Sequence, residues 1–213
     1  MEVDFGNMNI LGSIVKLSFP VVGDESFLAK VDTGADSSSI HCDDCYVKDD
    51  VLYCKILALK KILKFKNFSK KFIKSSNGEG TERYIVKLKT VIDGKEIVGK
   101  FSLNNREKMN YPILIGKDIL SKGFVVDVNK HFLEENYNGN IYRTFPNDTK
   151  SDELIWHRDK EDRIVEAVEN TNWLFQMDNQ LPIKIEGEIF IPKNTFHRII
   201  KGDGDLKVKV QKL

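Results

Sequence analysis

The apolar positions of this chain fall in short, strand-length runs that break at Gly, Asp or Asn. One run leads through Lys30-Val31 into Asp32-Thr33-Gly34-Ala35-Asp36, with Ser37-Ser38-Ser39-Ile40 following. Phe72-Ile73 and Tyr84-Ile85-Val86 flank Ser75-Ser76-Asn77-Gly78-Glu79-Gly80, which predicts a hairpin whose tip carries two glycines. Val91 to Leu103 reads as a strand, a turn at Asp93-Gly94 and a returning strand. Tyr111-Pro112-Ile113-Leu114-Ile115 is an apolar strand that runs into Gly116 and a short helix over Lys117-Asp118-Ile119-Leu120. These elements predict an all-β fold.

Between Leu57 and Lys74, lysines 60, 61, 64, 66, 70, 71 and 74 alternate with Ile62, Leu63, Phe65, Phe68, Phe72 and Ile73. The spacing favours amphipathic strands with solvated lysines over a nucleic-acid surface, because the whole chain carries a net charge of only +1. Past Asp127 the pattern changes. Glu135-Asn136-Tyr137-Asn138-Gly139-Asn140 and Pro146-Asn147-Asp148-Thr149-Lys150-Ser151 are turn-rich, so residues 131–153 are expected to be a connector and a candidate site of self-cleavage. Residues 1–130 and 154–213 then form two domains.

The candidate chemistry sits at Asp32-Thr33-Gly34. A tight loop of this composition presents a carboxylate to a cleft, with Gly allowing close backbone approach and an amide donor. Hydrolysis by such a site needs two carboxylates about 3 Å apart sharing one proton, one activating water while the other polarises the scissile carbonyl. The sequence holds one Asp-Thr-Gly and no Asp-Ser-Gly. The expected enzyme is therefore a homodimer with an Asp32 from each subunit at a two-fold axis.

The motifs at Asp32, Val91–Leu103 and Tyr111–Leu120 resemble, in order and spacing, those of the retropepsins, the single-domain dimeric aspartic proteases. Within that superfamily the signature is similar to proteins labelled ATP-dependent zinc proteases. Ser75-Ser76-Asn77-Gly78, Glu82-Arg83, Asn105-Arg106, Met109 and Val125-Val126-Asp127 also take part, so the likeness covers roughly residues 9–130. It implies a closed β-barrel and an aspartic endopeptidase. Asp32, Thr33 and Gly34 would be catalytic, and Ala35, Asp36, Ser76, Asn77, Gly78 and Gly80 would contact substrate, the hairpin of Ser76 to Gly80 acting as a flap. Ala35 replaces the Ser usual in pepsin-like enzymes, which implies activity extending toward neutral pH. Asp36 stands where the zinc-labelled proteins more often have a basic residue. The zinc and ATP parts of that label find no support, since neither His-Glu-x-x-His nor a phosphate-binding Gly-x-x-x-x-Gly-Lys-Ser/Thr loop occurs.

Trp156-His157-Arg158-Asp159 and Glu186-Gly187…Pro192-Lys193-Asn194-Thr195-Phe196-His197 resemble the two halves of a small cupin, a double-stranded β-helix. That resemblance implies a divalent metal held by His157, Asp159 and His197 as a two-His, one-carboxylate face. Departures from the cupin pattern favour a metal-free module that binds a partner or stabilises the dimer, with the two histidines packed and hydrogen-bonded. Cys42, Cys45 and Cys54 could hold Zn²⁺ but lack a second Cys pair, so free thiols are expected. No apolar run approaches the ~20 residues of a membrane span, and Met1 to Asn9 shows no signal sequence. A chain of 213 residues, 41% hydrophobic and 31% charged, suits a cytoplasmic globular protein, and its Lys-, Ile- and Asn-rich usage would suit a bacterial virus. The expected partner is a protein or peptide substrate, with no nucleic acid, no membrane and no cofactor for proteolysis. The competing expectation is a non-catalytic binding or assembly module on a protease fold; a third makes the cupin-like end an Fe²⁺ enzyme.

Overall fold

The computed structural model describes residues 8–57, 59, 61–74 and 80–213. The chain divides into two compact units, Met1–Asp127 and Val128–Leu213.

The first unit contains β1 (Asn9–Leu11), β2 (Ile14–Ser18), β3 (Ser26–Val31), β4 (Ser39–Lys48), β5 (Val51–Ile56), β6 (Leu63–Phe65), β7 (Phe68–Lys74), β8 (Gly80–Ile92), β9 (Lys95–Asn104), β10 (Ile113–Ile115), the helix α1 (Lys117–Leu120) and β11 (Phe124–Val126). Six strands close into a ring. β10 pairs with β3, β3 with β2, β2 with β8, β8 with β9, β9 with β4, and β4 returns to β10. Closure leaves no unpaired edge among these six and encloses one core.

Side-chain alternation explains the closure. In β8, Val86, Leu88, Thr90 and Ile92 are buried while Lys87 and Lys89 face water. Phe19, Ile40, Phe101, Ile113, Ile115 and Ile119 are fully buried in the same core. The expected turn at Asp93-Gly94 is present, with φ of 49° and 74°, and sets the β8–β9 register at Ile92↔Lys95. Lys61, Lys64, Lys66, Lys70 and Lys71 are exposed, as the alternation in that segment predicts. The tip of the expected flap, residues 75–79 with Ser76, Asn77 and Gly78, lies outside the described residues. The strands flanking it, β7 and β8, pair antiparallel from Phe68↔Val86 to Lys74↔Gly80.

The second unit contains β12 (Leu133–Tyr137), β13 (Asn140–Phe145), a 3₁₀ turn (Ser151–Glu153), β14 (Arg163–Ala167), β15 (Leu174–Met177), β16 (Ile183–Lys184), β17 (Glu188–Ile191), β18 (His197–Ile200) and β19 (Leu206–Lys212). One sheet runs β12-β13-β19-β14-β17 and a second runs β16-β15-β18. Phe175 from the smaller sheet and Ile189, Ile191, Leu206, Val208 and Val210 from the larger share one core with Trp173, which is fully buried. Its indole N–H donates to the carbonyl of Gly204 at 3.2 Å, so the largest buried side chain leaves no polar atom unpaired.

The expectation of a connector over residues 131–153 is corrected here. Asn138 and Gly139 adopt φ of 49° and 78°, the turn of a tight hairpin, and β12 and β13 pair around them. β13 then pairs with β19 from Ile141↔Val210 to Phe145↔Leu206, which makes this segment part of the second unit's larger sheet. Turn-forming residues marked a corner between two strands rather than an unstructured link.

Candidate active site

Asp32 follows directly on β3. Its backbone N–H donates to the carbonyl of Ile115 at 2.9 Å, which ties the start of the loop to the end of β10. The carboxylate Oδ1 accepts the amide N–H groups of Gly34 at 2.9 Å and Ala35 at 3.1 Å. These charge-assisted bonds fix the side-chain rotamer and present a half-buried carboxylate at the loop surface. A Cβ on Gly34 would lie 3.2 Å from Oδ1, so glycine admits the close approach that the bond requires. Ala35 has no hydroxyl, yet its backbone amide supplies a hydrogen bond to the carboxylate.

The loop is held from below by β10, which lies between β3 and β4 and pairs with both. Ser38, fully buried, accepts the N–H of Gly116 at 2.9 Å and donates its hydroxyl to Asp118 Oδ1 at 2.6 Å. Asp118 Oδ1 also accepts the Ser38 N–H at 3.0 Å. Lys117 N–H donates to the Ala35 carbonyl at 2.8 Å. A Cβ on Gly116 would lie 2.8 Å from the Ala35 oxygen and the Ser37 carbonyl carbon, so these backbones touch with no room for a side chain. The Lys117 ammonium contacts Asp36 and holds that carboxyl below the usual carboxylate range. Both groups are largely exposed, and Asp36 is joined to α1 rather than standing free.

Arg106 braces the next turn of the structure. Its guanidinium donates from Nη1 to Ser39 Oγ at 3.0 Å and from Nε to the Tyr111 carbonyl at 3.2 Å, and the backbone N–H of Arg106 donates to His41 Nδ1 at 2.9 Å. Burial, with the like charge of Arg83, holds the Arg106 guanidinium below its ordinary value. His41 Nε2 faces Asp43 at 3.2 Å. Ser38 and Asp118 carried no signal of a role in the sequence, because their partnership spans eighty residues.

The family model for the retropepsin-like aspartic endopeptidase RimB matches residues 10–136. The chain belongs to the RimB-like family. Two relatives, from Shewanella pealeana and Shewanella halifaxensis, are each named "Probable alpha-L-glutamate ligase". Each is 30% identical over 136 residues, covering 59% of this chain. The chain spans only 30% of the length of either relative, and neither name describes a zinc protease. A solved structure of a Legionella pneumophila protein of unknown function aligns with 23% identity and a TM-score of 0.40, over 56% of this chain and 93% of that one.

The RimB-like match ends within β12, and the other predicted cluster lies beyond it. Among the described residues, His157, Asp159 and His197 offer ligand atoms that all lie within 4.8 Å of one another. A two-way backbone bridge, His157 N–H to His197 O at 3.0 Å and His197 N–H to His157 O at 2.8 Å, sets the pair side by side with ring centroids 4.4 Å apart. The Nδ1 of each ring meets a carbonyl, Ile155 O at 3.2 Å and Thr195 O at 2.9 Å. A carbonyl only accepts, so both Nδ1 atoms carry a proton, and in the neutral rings both Nε2 atoms present lone pairs. Burial holds His197 below the usual histidine value, with the nearby His157 acting in the same direction.

Arg163 Nη1 holds Asp159 Oδ2 at 2.9 Å, and both side chains are largely buried. A dication bound by that carboxylate would share it with the guanidinium, a charge opposition the site would have to offset. Cys42, Cys45 and Cys54 are free thiols. Cys42 donates to the Asp44 carbonyl at 3.3 Å, and burial, with the neighbouring Cys42, pushes Cys45 up to about 11. Among the described residues no helix is long and apolar enough to cross a membrane.

Proposed function

We propose that the first unit is an aspartic endopeptidase that works as a homodimer. The observation that carries this reading is the Asp32 loop. One carboxylate oxygen is fixed by two backbone amides, and the loop is locked to β10 and α1 through Ser38 and Asp118. This leaves Oδ2 for chemistry. Each chain supplies one such carboxylate, so a second copy must bring its own Asp32 to share the proton and complete the site. One carboxylate then accepts a proton from the attacking water while the protonated partner donates to the carbonyl oxygen of the peptide bond. Gly34, Thr33 and Ala35 hold the loop. Asp36 lines the cleft, and Ser76, Asn77, Gly78 and Gly80 contact the peptide.

Arg83 and Arg106 place positive charge in this unit. With the relatives named for glutamate ligation, that makes glutamate-containing peptides the first substrates to try. Free thiols accord with a reducing, cytoplasmic setting. The second unit serves as a cupin-like accessory module.

The test is cleavage of a peptide library that includes glutamate-rich members, between about pH 4 and 7, by wild type and Asp32→Asn. The substitution is nearly isosteric and removes the shared proton site, so cutting should vanish while the fold persists. Activity per chain should also fall on dilution, as the dimer dissociates. A folded wild-type dimer that cuts nothing would favour the non-catalytic binding module.

A further inference from the structure

The second unit has a partly open cavity of about 270 Å³ whose polar residues include His157, Asp159 and His197. Its walls are otherwise dominated by aliphatic and aromatic side chains such as Val165, Phe175, Ile189, Ile191 and Val208. The size is that of a small organic molecule, and burying apolar area would supply most of the binding free energy. Two charged groups at the wall are paired, Arg163 with Asp159 at 2.9 Å and Arg143 with Glu134 at 2.9 Å, while the buried Arg163 Nε makes no hydrogen bond to the described residues. A strongly charged ligand would therefore meet no free counter-charge in these two pairs.

The polar cluster is rich in acceptors. The side chain of His197 is only 5% exposed, its Nδ1–H is spent on Thr195 O, and its Nε2 lies 3.5 Å from Asp159 Oδ2. With the ring neutral, a lone pair there faces the carboxylate oxygen, and a proton taken up on Nε2 would turn the contact into an ion pair. His157 Nε2, on the exposed ring of the pair, is an acceptor for the same reason. The Asp159 carboxylate and, in the neutral rings, the two Nε2 atoms thus converge as acceptors at the wall of an apolar cavity, with Arg163 offsetting the charge of the carboxylate. The complement to this arrangement is an O–H or N–H group on an otherwise apolar molecule.

We propose that this cavity binds a small, uncharged, largely apolar molecule through a hydroxyl or N–H head group donated to the His157, His197 and Asp159 cluster. The probe is 4-propylphenol, compared by calorimetry on the full chain with propylbenzene, which has the same apolar body and no donor. The phenol should bind at least fivefold more tightly. His157→Phe, at the exposed ring, should bring the two within twofold of each other. Val165→Trp, which fills the cavity, should abolish binding of both, and it serves where His157→Phe fails to fold. Equal affinity of the two probes for the wild type, or no binding of either up to its solubility, overturns the proposal. One equivalent of Zn²⁺ or Mn²⁺ bound by the wild type and lost in His157→Phe overturns it too, by making the cluster a metal centre.

Discussion

Gly116 shows how a single atom governs the active loop. The backbone at Gly116, between β10 and α1, meets the loop at Ala35 and Ser37 so closely that an added methyl would sit 2.8 Å from two of its atoms. Neither neighbour is a flexible side chain, and Ser38 and Asp118 pin the same loop from the other side. Gly116→Ala should therefore cost about 1–3 kcal/mol of stability. It should also reduce turnover more than peptide binding, because Asp32 loses its position. Urea denaturation with steady-state kinetics would check both. The Asp32-Thr33-Gly34 loop was legible as a candidate from residue type and order together with the later strand–Gly116–helix motif, since the triplet alone is also an ordinary turn in β-rich proteins. Asp118 was not, because an aspartate after Gly-Lys reads equally well as an ordinary first-turn helix residue.

At the scale of elements, strand-length runs and turn residues located β8, β9 and β10 well. The segment from Leu133 to Phe145 was misread because Asn-Gly was weighed as loop composition, whereas Leu133, Ile141 and Phe145 flank it with a strand pattern. Paired on one side to β12 and on the other to β19, β13 is an interior strand of its sheet. Its amides should exchange with solvent slowly, and limited proteolysis of the full chain should spare residues 133–145. Hydrogen exchange read by mass spectrometry would show the contrary result at once, as rapid labelling of this hairpin. Self-cleavage inside it would require the hairpin to open first.

For the whole molecule, the two units have separate cores that share no residue. A pH effect specific to the second unit follows from His197. Its folded-state value lies below the usual 6.5, chiefly through burial, so the unfolded chain binds the proton more readily. The stability this contributes is present above about pH 6.5 and is lost as pH falls toward and through the folded value. Denaturation followed through Trp173, the buried indole of that core, should show a midpoint that declines between pH 7 and 5. In His197→Phe that slope should flatten.

Local order along the chain was enough to point to an all-β architecture and a retropepsin-type loop at Asp32, and it led to the expectation of a second copy. Each of these rests on residue type and short-range spacing. Closure of the six-strand ring, the Ser38–Asp118 clamp and the hydrogen-bond roles of His157 and His197 rest on contacts between segments tens of residues apart. Such contacts depend on register and on which carbonyl an imidazole meets, and neither is encoded in the spacing of residues along one strand. The cavity beside those histidines belongs to the same class, because an interior volume exists only where two sheets fail to fill the space between them.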